Sequence, residues 1–283
     1  MQALPAWLRL MRPNQWAKNL FVFAPALFSG QLQFASTWGK SALAFVFFCA
    51  SSALVYCLND YLDVEADRAH SIKRLTRPIA SGEVSMQATR WIMAALFALL
   101  VVGVLVVPVL FGPLVSYLVI NLIYNLGLRG IPVIDLVLIS LGFVARVWAG
   151  AAILQVPLTG WIIVDTFFLA LYLATMKRRN EFRLDLGHTR KSLRRYSGGL
   201  INFLAIVSLL GALVSYLYFT FEVRPQLTFT GVFVLLGLWR FWTLSNQLKG
   251  DESPTDALVR DWPMITISAL WATACYLLLV LWR

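Results

Sequence analysis

Residues Tyr56–Gly82 read YCLNDYLDVEADRAHSIKRLTRPIASG, a stretch that leaves an apolar run and enters a charged one within a few turns. Asn59, Asp63 and Asp67 recur every fourth residue. On an α-helix that spacing stacks them on one face, one turn of about 5.4 Å per step. A column of oxygen donors suits a hard divalent cation, and Mg2+ commonly links such carboxylates to substrate phosphates. Asp60, turned by about 100° from Asn59, is a further metal candidate or an orienting neighbour. Arg68, Lys73, Arg74 and Arg77 follow at once, and cations beside a metal site point to a phosphorylated ligand. A solvated helix end is the plainer alternative. Against it, Asn59 and Asp60 fall at the edge of the apolar run, where a carboxylate costs a few kcal/mol unless it is paired or wet.

The surrounding chain is a membrane protein by composition. Hydrophobic residues make up 59% and charged residues 13%, with a mean hydropathy of +0.73, whereas soluble domains carry about a quarter charged residues. Apolar windows of about 20 residues predict nine spans: 16–35, 40–62, 88–108, 111–128, 132–153, 159–178, 199–220, 227–247 and 262–282. The expected fold is all-α, one polytopic domain over 1–283. No basic-apolar-small leader precedes the first span, so no cleavage is expected. Cys49, Cys57 and Cys275 lie in apolar runs and read as small buried hydrophobes, not as a disulfide or a metal site. The net charge of +10 is no sign of nucleic acid. Lys and Arg crowd the N-terminal segment and the connections after even-numbered spans, which places the N-terminus in the cytoplasm and the C-terminus outside.

A second charged helix end falls after span six, where Lys177, Arg178 and Arg179 precede Glu181 and Asp185. Glu181 and Asp185 form an i, i+4 carboxylate pair, so one site built from two cytoplasmic helix ends is reasonable geometry. Arg146 lies deep in span five, where an unpaired cation is expensive. It either pairs with Asp165 of span six or meets a phosphate or sugar hydroxyl. Lys18, Tyr124 and Arg129 sit at the same mouth as further substrate-binding candidates. The basic run from Arg190 to Arg195 reads as an anionic-lipid contact. His70 and His188 are in polar loops, and neither is a convincing catalytic base.

The pattern Asn59-Asp60-x-x-Asp63-x-x-x-Asp67, followed by Arg77-Pro78-Ile79-Ala80-Ser81-Gly82, resembles the UbiA superfamily of intramembrane prenyltransferases. That resemblance implies nine transmembrane helices around a central cavity, two aspartate-rich loops on the cytoplasmic side, and a Mg2+-bound diphosphate. The aromatic prenyltransferases of the superfamily carry a second Asp-x-x-x-Asp after span six. Here Glu181 and Asp185 stand there, with Lys177 and Arg178 one turn earlier. This arrangement is similar to the branch of decaprenyl-phosphate phosphoribosyltransferases, as are Arg12-Pro13-x-Gln15-Trp16-x-Lys18-Asn19 and Gly142-Phe143-Val144-Ala145-Arg146. Two departures are His70-Ser71-Ile72-Lys73 in place of His-Pro-x-Lys and a run to Arg77-Pro78 one residue longer.

The resemblance implies transfer of 5-phosphoribosyl from phosphoribosyl pyrophosphate (PRPP) to a polyprenyl phosphate, at the cytoplasmic face of a bacterial inner membrane, for cell-envelope glycan synthesis. Asp63, Asp67 and Glu181 are then the expected catalytic residues. Asn59, Asp60, Asp63, Asp67, Glu181 and Asp185 hold Mg2+. Lys18, Arg68, Lys73, Arg74, Arg77, Tyr124, Arg129, Arg146, Lys177 and Arg178 bind substrate. Transfer of a prenyl group to an aromatic ring, and a transporter, are the alternatives. A homo-oligomer is compatible with the sequence.

Overall fold

The computed structural model describes residues 4–184, 193–247 and 260–281. Every regular element among them is helical. A short α1 (Ala6–Met11) leads into a 3₁₀ helix (Pro13–Phe23) and α2 (Ala24–Phe28). There follow α3 (Ala35–Leu62), two short helices α4 (Val64–Ala69) and α5 (Lys73–Thr76), then α6 (Met86–Val106) and α7 (Phe111–Asn125). The second half comprises α8 (Ile134–Leu154), α9 (Gly160–Arg183), α10 (Gly198–Glu222), α11 (Gly231–Gln247) and α12 (Trp262–Leu281).

Among the described residues, eight helical segments are long and apolar enough to cross a membrane. They match the predicted second to ninth spans to within about five residues at each end. The first prediction, 16–35, needs correction. Its residues form no single α-helix but the 3₁₀ segment and the five-residue α2, with Pro25 at the junction. The reason is packing. Asn19, Val22 and Ala26 are fully buried against α3 and α8. The main chain comes so close to Gly150 of α8 that a Cβ there would stand 2.9 Å from the Val22 carbonyl carbon and 3.1 Å from Pro25 Cδ. Small residues at such crossings let membrane helices approach closely. Composition sees the apolarity of this segment but not its pitch.

Helix starts follow local sequence. The side chains of Ser85, Thr159, Ser197 and Asp261 accept hydrogen bonds from the backbone N–H groups three residues on, at 3.1, 3.4, 3.2 and 2.9 Å, as N-caps do. α3 and α8 supply most of the first core, packed with Phe48, Leu114, Tyr117 and Ala149, and a second core joins α9, α10 and α11 around Tyr172, Met176 and Phe241. The outward faces of α6, α10 and α12 carry exposed Trp91, Phe97, Leu105, Phe203, Val214 and Trp262, as expected for lipid-facing surfaces. Consecutive spans run antiparallel, so the C-terminal ends of α3, α7 and α9 share one face with the N-terminal ends of α8 and α10.

Asp261 also closes the α11–α12 corner, accepting from Arg240 Nε at 3.1 Å and Nη2 at 2.6 Å. The Arg240 hydrogen bonds hold its carboxyl below the usual carboxylate range. The linkage sign is therefore fixed. Its contribution is fully present above the ordinary value of about 4 and is lost as pH falls through the lowered folded-state value. Asp261→Asn is expected to lower Tm at pH 7, with the gap from the parent protein closing below about pH 4. Thermal unfolding across pH 3–8 checks this.

Candidate active site

The acidic column survives a break in the helix that carries it. α3 ends at Leu62, Asp63 adopts φ −92° and ψ 6°, and α4 begins at Val64. Yet the Asp63 N–H still bonds to the Asn59 carbonyl at 3.0 Å, and the Asp67 N–H to the Asp63 carbonyl at 2.8 Å. The four-residue step is thus kept through the junction.

Arg129, from the short 3₁₀ turn Leu128–Gly130, donates both guanidinium N–H groups to the Asp63 carboxylate at 2.8 Å. Those bonds hold the Asp63 carboxyl below its usual range, with Lys73 and Arg12 adding to the effect. Asp67 is buried and lies 3.3 Å from Lys73 Nζ. Asn59 Oδ1 is buried and has no hydrogen-bond partner.

Asp60 does not join this column. It is 4% exposed and accepts from Arg12 and from Arg77, the latter at 2.5 Å. Both cations bind its Oδ1, so Asp60 holds Arg12 and Arg77 in place, while its Oδ2 is buried with no hydrogen-bond partner. Arg12, in left-handed conformation at the end of α1, also lies over the Tyr56 ring at 4.8 Å. Arg77, expected to bind substrate, has its Nη1 committed to Asp60. Arg68 and Arg74 are exposed at the rim, and Lys18 is half-buried on the 3₁₀ helix.

The cations at the end of α9 divide their work. Arg178, expected to bind substrate directly, is 2% exposed and fully engaged. It donates to Asp135 Oδ2 at 2.9 Å and to Glu181 Oε2 at 2.8 Å. Arg179 turns outward to Asn202 and Asn246 and stacks on Trp242, and Arg183 bonds to carbonyls at the end of α11. Lys177 is half-buried beside them. Asp185 lies outside the described residues, as do His188, Arg190 and Lys191.

Tyr124, near the end of α7, is within electrostatic reach of both Arg129 and Arg178. Asp63 is thus tied to Arg129 of the α7–α8 connection, and Glu181, through Arg178, to Asp135 at the start of α8.

Arg146 and Asp165 do not pair. Arg146 donates to Asn19 Oδ1 and the Gly142 carbonyl at 2.7 Å each and to the Tyr117 hydroxyl at 3.3 Å. Its guanidinium carbon sits 4.7 Å from the Tyr117 ring centre and 5.1 Å from that of Phe143. It pins the 3₁₀ helix to α7 and α8, and at 5% exposed it is not a free phosphate ligand.

Asp165 instead keeps a buried Oδ1 with no hydrogen-bond partner and lines a largely apolar cavity of about 600 Å³ with Phe28, Leu169, Tyr172, Tyr216 and Trp271. The cavity lies away from the aspartates, but Tyr172 and Glu181 are nine residues apart on α9, about 13 Å of helix.

Sequence reasoning missed three residues of this region: Asp135, Tyr196 and the pairing role of Arg12. Asp135 was findable, because an acidic residue opens the apolar run of span five, where burial is costly.

Hard cations take oxygen donors, and Mg2+ usually draws on one or two carboxylates plus substrate phosphates. Among the described residues no cluster of three or more His, Cys, Asp or Glu forms a ready-made metal cage. The orphaned Asn59 Oδ1 beside Asp63 and Asp67 does fit a site completed by a phosphorylated ligand.

A model of the UbiA prenyltransferase family matches residues 20–264. The chain belongs to the UbiA family. It is 34% identical to the decaprenyl-phosphate phosphoribosyltransferase of Mycolicibacterium smegmatis, over 92% of this chain and 77% of the relative. The enzyme of the same name from Corynebacterium glutamicum is 32% identical over 79% and 70%. The fold matches a UbiA homologue from Archaeoglobus fulgidus bound to GPP and Mg2+, with a TM-score of 0.74 and 18% identity, covering 97% of this chain and 99% of that one. As a UbiA protein the chain is a multi-pass, all-helical membrane protein, in keeping with its apolar helices.

Proposed function

We propose that this UbiA protein transfers the 5-phosphoribosyl group of PRPP to a polyprenyl phosphate and releases diphosphate, acting at the cytoplasmic face of a bacterial inner membrane. The observation that carries this reading is the likeness, over most of the chain, to enzymes named decaprenyl-phosphate phosphoribosyltransferase. Lys177 beside the second motif supports it, as a cation for the 5-phosphate that a prenyl diphosphate donor does not have.

The residues divide the task. Lys73 and Arg129, with Arg68 and Arg74 at the rim, surround the acidic column with positive charge suited to a diphosphate. That charge favours the state in which the C1–O bond breaks and the diphosphate becomes more anionic. Asn59, Asp63 and Asp67 would hold Mg2+, which supplies Lewis-acid neutralisation of the leaving group. Glu181, with Asp185, serves as a second acidic donor set or as an acceptor for ribose hydroxyls. Lys177, Lys18 and Tyr124 line the same mouth. The acceptor phosphate is already anionic, so the transfer needs no dedicated general base. The apolar cavity among α2, α9, α10, α11 and α12 takes the isoprenoid chain of the acceptor.

The test is purified full-length protein in lipid nanodiscs with ribose-labelled PRPP and a polyprenyl phosphate. Label is expected in the lipid fraction. Transfer of a prenyl label to hydroxybenzoate without ribosyl transfer, or solute flux without turnover, would overturn the reading.

A further inference from the structure

Asp135 is fully buried at the start of α8, yet no role in the chemistry above uses it. Its two oxygens are both taken. Arg178 Nε donates to Oδ2 at 2.9 Å, and the Tyr196 hydroxyl donates to Oδ1 at 2.7 Å. The same hydroxyl accepts the Val133 N–H at 2.8 Å. Val133 is strained: it has φ +69° and ψ −48°, and the Ile134 N–H closes a γ-turn onto the Pro132 carbonyl at 2.8 Å. A β-branched residue with positive φ is a backbone outlier, and such strain persists only where surrounding contacts over-determine it. Here those contacts converge on one carboxylate.

We propose that Asp135 is a positioning residue for the second acidic motif: by gripping Arg178 and Tyr196 it fixes the guanidinium that presents the Glu181 carboxylate to the substrate pocket. The inference rests on the transferase reading above for what Glu181 does, but not for the geometry. Arg178 is one cation between two carboxylates, so the group as a whole remains anionic and Glu181 keeps charge to offer. Glu181 is partly exposed while Arg178 and Asp135 are not, which places the acceptor at the surface and its support behind it.

Tyr196 ties the same carboxylate to the 193–197 segment, and Arg195 Nη1 reaches the Gly130 carbonyl at 3.4 Å. The chain re-entering after Glu181 is thus docked on the α7–α8 connection that also supplies Arg129 to Asp63. One strained turn therefore sets the register between the two motifs.

The experiment uses the full chain in nanodiscs with Asp135→Asn, Tyr196→Phe, Glu181→Gln and the double variant Asp135→Asn/Glu181→Gln. Outer supports of a catalytic group are worth about 10–100-fold. Asp135→Asn is therefore expected to lower kcat by about 10–100-fold with the KM for PRPP within about threefold, and Tyr196→Phe by about tenfold.

The double variant is expected to be no slower than Glu181→Gln alone, because a residue acting through another shows no further loss. Multiplying losses, or an Asp135→Asn protein that is less heat-stable but turns over normally when folded, would overturn the proposal. A second readout does not need turnover: Mn2+ affinity with inorganic diphosphate, by electron paramagnetic resonance. There, equal weakening in Asp135→Asn, Glu181→Gln and the double variant supports the proposal, and no weakening in Asp135→Asn overturns it. Wild-type protein that moves no ribose label would sink the transferase reading alone, leaving the Mn2+ series to decide this one. If Asp135→Asn fails to fold, Tyr196→Phe, which keeps the ion pair, carries both readouts.

Discussion

Asp67→Asn is expected to reduce phosphoribosyl transfer by at least about 100-fold, the scale seen when one electrostatic contact to a developing charge is removed, while leaving the fold intact. The two halves of that statement come from different magnitudes. Asp67 has one ion-pair partner, Lys73, at 3.3 Å, and the lysine side chain is 37% exposed. Pairs of this kind are worth about 0–1 kcal/mol to stability. The amide is nearly isosteric and keeps an oxygen in the column, but it removes a full negative charge facing the site. A loss of activity with unchanged Tm therefore reports on the chemistry. Asp63→Asn is expected to behave in the same way, with a larger stability change because it gives up a two-pronged bond to Arg129. Initial rates and thermal unfolding of the same preparations decide it; normal turnover in Asp67→Asn would remove that residue from the site.

The largest expected effect on stability is at Gly150. An added Cβ would meet the Val22 carbonyl, which is main chain, together with Pro25 Cδ at 3.1 Å. Neither can rotate away. Overpacking costs about 1–3 kcal/mol, and a rigid obstacle puts Gly150→Ala near the top of that range, about 3 kcal/mol. The control lies two turns earlier on the same helix. At Gly142 the new methyl would meet Arg146 Nη1 at 3.6 Å and Tyr117 Cε2 at 3.8 Å, ordinary contacts. Because alanine is about 1 kcal/mol better than glycine inside a helix, Gly142→Ala is expected to be neutral or slightly stabilising. Thermal unfolding of the pair checks the contrast. Equal Tm values for both would mean that the 3₁₀ helix is not seated on α8 as described.

What could be read from the chain alone follows the range of the interactions. The Asn59–Asp63–Asp67 column was legible because it depends only on helix periodicity, and it survives even where α3 gives way to α4. Eight spans were legible because apolar runs of that length have one use. The first segment was not, since the choice between an α-helix and a 3₁₀ helix is made by Gly150, far along the chain.

Arg146 shows a second limit. Its depth marked it as costly, but the expected partner was the nearest carboxylate by depth, Asp165. The structure satisfies it with Asn19, the Gly142 carbonyl and Tyr117, neutral groups that carry no charge signature in a sequence. Arg178 shows a third limit. A cation in a basic row reads as a surface group, and only its contact with Asp135, 43 residues earlier, turns it into a buried strut. Asp60 was partly legible: its angular offset from Asn59 marked it as different from the column without naming Arg12 and Arg77 as its partners.

The central claim is that oxygen donors on two helix ends hold one diphosphate through a divalent cation. A structure of the protein with Mn2+ and PRPP, read by anomalous scattering, tests it most directly. The account predicts an anomalous peak about 2.1 Å, the Mg2+-type distance, from carboxylate oxygens of Asp63 or Asp67 and from a diphosphate oxygen, with Glu181 facing the same ligand. A peak away from α3 and α4, or a diphosphate that touches neither motif, would contradict it.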